Sequence, residues 1–337
     1  MRISYGLILI LSNLFLSSFG QDVQLFQAKD PFNTRMNGSI KSIKKNSNDS
    51  TFVAGKFEYE SDSGKWVEVP LQIRVRGNYR LKNCYFPPLK LKFNKKEVAS
   101  TMFEGNKALK LVVPCQTNAD RNTLIRKEYL CYQFYQILSP YYFRTRLTNL
   151  TLTEVSRKKP RTFELLSFFV EDNSMVAKRS DGKIIDKPIN PSAFDEKQSV
   201  RNDYFQYMIG NADWSAVFQH NSNSMFVQGT YVPLSYDFDM SGFVSAGYAK
   251  DNPPTLGTGD PRERVYRGFC KSTSAMEEIR KEFFEKESAI HAAIDEHASF
   301  FRKFELDDMH NYLNEFFRIL KNDNDFKASI IGQCRTK

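Results

Sequence analysis

The sequence predicts an α+β protein of two lobes, β-rich over 21–171 and helix-rich over 172–337, with a cleft between them. Three observations point there. Apolar and polar residues alternate at period two through much of the first 115 positions. From about Ser272 to Lys321 the chain reads as mostly helix, with Phe283, Phe284, Phe300 and Phe301 among its apolar positions. Hydrophobic residues make up 41% of the 337, with 29 Phe and 16 Tyr, which supplies a large packed core and excludes a disordered chain.

In chain order, "MRISYGLILILSNLFLSSFG" (1–20) reads as a secretory signal. Arg2 precedes an apolar run from Leu7 to Leu16, and Ser18 and Gly20 stand before a cut at Gln21. That run is too short to span a bilayer and no later one approaches the length needed, so an exported chain without a transmembrane segment is expected. "STFVAGKFEYES" and "KWVEVPLQIRVRGN" read as strands joined by a hairpin turn at "SDSGK". "FPPLKLKF" and "KALKLVVP" continue the alternation, with Leu89, Leu91 and Phe93 on one side of the first and Lys90 and Lys92 on the other. "NADRNTLIRKEYLCYQFYQIL" is an amphipathic helix with Leu124, Tyr129, Tyr132 and Tyr135 among its contacts, ended by Pro140. "RLTNLTLTEV" and "TFELLSFFVED" add strands, so that five or more surround one helix. Beyond Glu171 the chain turns polar, then offers a helix in "SVRNDYFQYMIGN" and a hairpin in "SNSMFVQGTYVPLSYDFD".

Five cysteines are an odd number for an exported chain. Cys131, on a buried helical face, is the natural unpaired one; Cys84 with Cys115 and Cys270 with Cys334 could be bridged, although spacing alone does not fix connectivity. No CxxC or His-rich spacing suggests zinc. The net charge of +9 comes from scattered basic runs ("KSIKK", "RVRGNYRLK", "RKKPR") with no long block. A basic surface favours anionic partners, nucleotides included, while a solvated face that keeps the chain soluble is the bland reading of any one run; no nucleic acid is expected.

The chemistry-bearing residues gather in "GNADWSAVFQHNSNSMF" and "VPLSYDFDMSG": Asp213, Asn221, Asp237 and Asp239. Asp and Asn close turns and cap helices, which is one reading. The other is a metal–phosphate site, with one carboxylate orienting a nucleophile while an Asn and a second Asp hold Mg2+. These two stretches resemble the CotH family of atypical protein-kinase-like proteins, which has an N-x-D, then H-N and a strand, then a "PWDxDxxxG"-like turn. The likeness extends upstream through "IRVRGNYR…PPLKLKF" to the family's "RGNS…KPYKLKF", with Tyr79 in place of the small Ser, and covers about 70–245.

The resemblance implies a bilobal protein-kinase-like fold, with a β-rich N-lobe around one helix and a mixed, helix-rich C-lobe. It implies Mg2+ (or Mn2+) and ATP as donor, with a protein or surface-polymer hydroxyl as acceptor. On it, Asp213 takes the catalytic role and Asn221, Asp237 and Asp239 ligate the metal. Lys92, or Lys90 one strand period earlier, meets the phosphates, paired by Glu128; Gly77 and Arg76 approach them, and Glu171 lies at the adenine-side hinge. A catalytically inactive envelope or surface binding protein is the alternative, since ATP is scarce outside the cytoplasm. A glycan-binding role for the aromatic residues is the third.

Overall fold

Period-two alternation in the first half builds strands, as expected, but the sheet they form closes on itself. The computed structural model describes residues 23–48, 50–155, 159–249 and 259–336, and the expected signal segment lies outside them. β1 (Phe32–Gly38), β2 (Val53–Glu60), β3 (Trp66–Val75), β4 (Leu89–Phe93), β5 (Ala108–Val112), β6 (Thr145–Glu154) and β7 (Arg161–Glu171) form a barrel in the order β1-β2-β3-β4-β5-β7-β6. Neighbours run antiparallel except β1 and β6. Their parallel ladder, from Phe32 opposite Thr148 to Gly38 opposite Glu154, closes the ring. Inside that seam the buried hydroxyls of Thr34 and Thr148 bond at 2.8 Å.

The bilobal protein-kinase-like fold is therefore not what forms: a closed seven-stranded mixed barrel stands where a β-rich lobe around one helix was expected. The physical reason lies in β1. Its "FNTRMNG" is mostly polar and pairs more than a hundred residues downstream in a parallel register, which no hairpin turn announces.

The barrel shares a wall with the helices. Along β7, Leu165 and Phe169 point into the barrel core, where Phe57, Phe103 and Phe169 contact edge-on at 5.6–5.8 Å between ring centroids. Leu166, Phe168 and Val170 point out into a second core. Against that outer face packs α3 (Arg121–Leu138), burying Ile125, Tyr129, Tyr132 and Phe134. The helix expected inside the first lobe thus belongs to the helical core instead.

The second half contributes α4 (Asn173–Arg179), β8 (Lys183–Ile185), α5 (Glu196–Met208), the hairpin β9 (Ser222–Val227) and β10 (Thr230–Ser235), then α6 (Thr273–Asp295), α7 (Lys303–Lys321) and α8 (Asp323–Ser329). The three strands form a separate sheet in the order β10-β9-β8. Helix α7 buries Met309, Tyr312, Leu313, Phe316, Phe317 and Leu320, the apolar stripe of a one-sided helix. In the expected helical tail Phe283 and Phe301 are buried, whereas Phe300 is 56% exposed. A six-residue helix, α2 (Asn78–Asn83), and α1 (Ile40–Asn46) complete the barrel side. Among the described residues no helix is long and apolar enough to cross a membrane.

Disulfides join Cys84 to Cys115 and Cys270 to Cys334, leaving Cys131 buried and free. Burial pushes the Cys131 thiol well above its ordinary range, which keeps it unreactive. Beside the second bridge lies Asp203, 6% exposed, and Gly268 approaches it so closely that a Cβ there would stand 2.5 Å from Asp203 Oδ2. Burial pushes the Asp203 carboxyl from 3.8 up to about 7, against the Asn202 hydrogen bond and the charges of Lys271 and Arg335. Between those two values the native state binds the extra proton, so stability falls as pH rises from about 4 to about 7. We expect Asp203→Asn to flatten that slope in urea unfolding, and an unchanged slope would contradict this origin.

Candidate functional site

The barrel end next to the β9–β10 hairpin collects charge that is buried and unevenly paired. At its centre is Arg80, 5% exposed. Gly77, in left-handed backbone at φ +78°, turns the chain from β3 into α2 and so aims Arg80 inward. The disulfide at Cys84, just after α2, ties that helix to the segment following β5. The Arg80 guanidinium donates to Val113 O at 2.8 Å and lies 3.6 Å from Asp239, 3.7 Å from Asp237 and 4.0 Å from Glu128. Burial alone would depress its pKa; Asp239, Tyr248, Glu128 and Asp237 together hold it above the ordinary arginine value.

The carboxylates respond in kind. Burial, reinforced by Asp239, holds Glu128 well above the usual range, and burial lifts Asp239 to about 6. The Tyr248 hydroxyl bonds Asp239, and the Tyr248 carbonyl accepts from Tyr79 at 3.2 Å, so the chain after Asp239 folds back over α2. Even so, Arg80 Nε and Nη1, Glu128 Oε1 and Asp239 Oδ2 are buried without a hydrogen-bond partner.

Lys110 extends the cluster along β5. Its neighbours Leu109 and Leu111 face the barrel core, which leaves Lys110 on the outer face with Val112. The ammonium lies 4.0 Å from the Tyr236 ring centroid and 4.5 Å from that of Phe143, with no hydrogen-bond partner. Burial first, then Arg76 and Lys90, push its pKa well below the ordinary lysine value, although Asp172 and Asp237 pull the other way. Lys90, on β4, pairs with Asp172 at 3.0 Å.

A second group faces this one. Ser215 and His220 exchange backbone hydrogen bonds, a tight reversal that returns the chain so that Asn221 Nδ2 donates to Asp213 O at 2.8 Å and Oδ2 at 3.1 Å. His220 Nε2 donates to Asp213 Oδ1 at 2.8 Å. The Asp213 side chain is 46% exposed, and its charge adds to those that raise the Asp239 pKa, so the two groups lie within electrostatic reach of each other. Asp237 is 19% exposed and its N–H donates to the Tyr132 hydroxyl of α3 at 3.0 Å. Asn221 (φ +49°) and Asp237 (φ +65°) both adopt left-handed backbone, a conformation that costs energy and is concentrated at functional loops.

Of the residues the sequence singles out, Glu128, Asp237 and Asp239 meet at Arg80, Asp213 and Asn221 meet each other, and Arg76 and Lys90 border Lys110. Two lie elsewhere. Lys92 is exposed in an outer groove of about 800 Å3 with Lys56, Glu68 and Gln72, its ammonium 5.5 Å from the Phe52 ring. Glu171 is buried against Arg179 and the Arg144 N–H, locking the end of β7; its neighbour Asp172 is the one turned to Lys90. Arg80, Lys110, Asp172 and Tyr248 escaped the sequence reading. Lys110 had a signal: a lone lysine between leucines, sharing a face with Ala108 and Val112.

Among the described residues no group of three or more His, Cys, Asp or Glu is arranged to hold a metal. Mg2+ commonly takes one or two carboxylates with phosphate and water. Asp237 and the Asn221 amide oxygen fit that smaller donor set, next to buried polar atoms that lack partners. The chain matches no family model, no curated protein and no solved structure, and a functional reading rests on these residues themselves.

Proposed function

We propose that the cluster binds a nucleoside triphosphate with Mg2+, ATP being the donor expected, and transfers its terminal phosphoryl group to a hydroxyl of an exported protein or surface polymer. The observation that carries this is Lys110: an ammonium 6% exposed, unpartnered, with Arg76 and Lys90 beside it. Burial without a hydrogen-bonded anion disfavours the charged form of Lys110, and a triphosphate would supply the anion that favours it. Asp237 and Asn221 would hold the metal, which when bound neutralises phosphate charge. Asp213, exposed at the lip, orients the acceptor hydroxyl, with His220 fixing its carboxylate. As the acceptor oxygen bonds to phosphorus and the bond to the nucleoside diphosphate breaks, the hydroxyl proton passes to Asp213. Arg80, Glu128 and Asp239 act as positioning residues, fixing Asp237 from below.

One observation favours a second reading, a non-catalytic surface or envelope protein. Arg80 already pairs with Asp237 and Asp239 from within, so part of the carboxylate charge is compensated without a metal. A thermal-shift experiment separates the two. On the phosphotransferase reading Mg·ATP at about a hundred times its Kd stabilises the wild type by about 2.7 kcal/mol. Lys110→Met abolishes that shift while its own unliganded melting temperature stays level or rises, because a buried unpaired cation has gone. A wild type that no triphosphate stabilises, or a Lys110→Met variant that keeps the shift, favours the binding protein.

A further inference from the structure

We propose that the groove at the start of α3 is a binding site for a small acidic sugar, a hexose carrying a carboxylate or a sulfate, separate from the phosphoryl-transfer cluster. The groove holds about 340 Å3 and is lined by Asn122, Thr123, Arg126, Asn149, Glu164 and Phe300 among others. Arg126 is 2% exposed, yet among the described residues no carboxylate pairs with it. Its Nη1 donates to His297 Nδ1 at 3.0 Å, and its guanidinium carbon stacks 3.3 Å from the Phe300 centroid. Both neighbours are uncharged, since burial holds the His297 imidazole down to about 4.

The first turn of α3 contributes Asn122 and Thr123 to the same groove. Asp120 at the N-cap makes no side-chain hydrogen bond to the helix and no acidic residue stands in the first turn, so the first amides have no side-chain acceptor and the Asp120 charge alone faces the helix's positive end. What calls for an anion is the buried Arg126 guanidinium, which lines the groove without a carboxylate partner among the described residues.

The remaining lining suits the rest of a sugar. Asn122 accepts from the Leu166 N–H through Oδ1, leaving its amide protons to donate. Asn149 donates to Asn33 and keeps its oxygen as an acceptor. Thr123 offers a hydroxyl and Glu164 a carboxylate, groups that bond ring hydroxyls. Phe300, 56% exposed, presents an aromatic surface to sugar C–H groups.

Calorimetric titration of the full chain with glucuronate, glucose and inorganic sulfate tests this. Glucuronate binds, and glucose and sulfate bind about tenfold more weakly or worse, each lacking one half of the recognised chemistry. Thr123→Glu sets a carboxylate one helical turn before Arg126, so it occupies the cation and complements the helix end. That variant folds with an equal or higher melting temperature and loses glucuronate binding, and Phe300→Ala, at an exposed position, weakens it several-fold. The proposal is overturned if glucuronate gives no saturable heat, if Thr123→Glu leaves binding intact, or if sulfate alone binds as tightly as glucuronate.

Discussion

Replacing Arg80 with Met lowers stability by about 3–5 kcal/mol at pH 8, because it strands buried carboxylates that now share one cation. Glu128 and Asp239 are 1% and 3% exposed, and water cannot take over the lost partner. The loss is pH-dependent, and its sign follows from the raised carboxyls. Asp239 titrates at about 6 and Glu128 well above its ordinary value in the folded protein. Below that range both take up protons, so the stranded groups become neutral and the deficit shrinks. Urea unfolding of wild type and variant at pH 5 and pH 8 measures this: we expect the smaller difference at pH 5. A loss under about 1 kcal/mol at pH 8, no more than an exposed ion pair is worth, would mean that the charges do not depend on Arg80.

On the proposed phosphotransferase reading, we expect Asp213→Asn to reduce phosphoryl transfer by about 10²–10⁴-fold, the usual contribution of a positioned general base. The amide keeps the size of the carboxylate but cannot take the acceptor proton. Asn221 bonds the Asp213 backbone oxygen as well as its side chain, so the loop survives the change and Mg·ATP affinity stays within a few-fold of wild type. Turnover that persists in Asp213→Asn removes the residue from the catalytic role, whereas loss of nucleotide binding with turnover marks it as structural.

Much of the fold is legible from periodicity. The strands in "KWVEVPLQIRVRGN" and "TFELLSFFVED", helix α3, the β9–β10 hairpin and the tail helices all lie where alternation or helical spacing indicates. Closure is not legible. β1 and β6 meet in a parallel register far apart in sequence, and parallel pairing leaves no turn signature. Composition also cannot tell which core α3 joins, because β7 is apolar on both faces and offers it either side.

The site divides in the same way. Asp213 and Asn221 are brought together by a local reversal, so eight residues of spacing contain the information. Lys90 and Lys92 share one strand face, and only a distant partner, Asp172, distinguishes them. Adjacent residues on a strand point to opposite sides. Glu171 accordingly pairs with Arg179, while its neighbour Asp172 turns to Lys90. Arg80 sits among scattered basic residues, and what singles it out is the cluster of carboxylates that converges on it from α3 and the loop after β10.

The phosphotransferase reading requires that the assembled charges at the barrel end receive a triphosphate. Titration of the purified chain with ATP, in the presence and absence of Mg2+ or Mn2+, measures that directly. The expected result is saturable, metal-dependent binding at one site, which Asp237→Ala eliminates without unfolding the protein. Absence of saturable binding for any triphosphate with either metal, in a folded wild type, would contradict it.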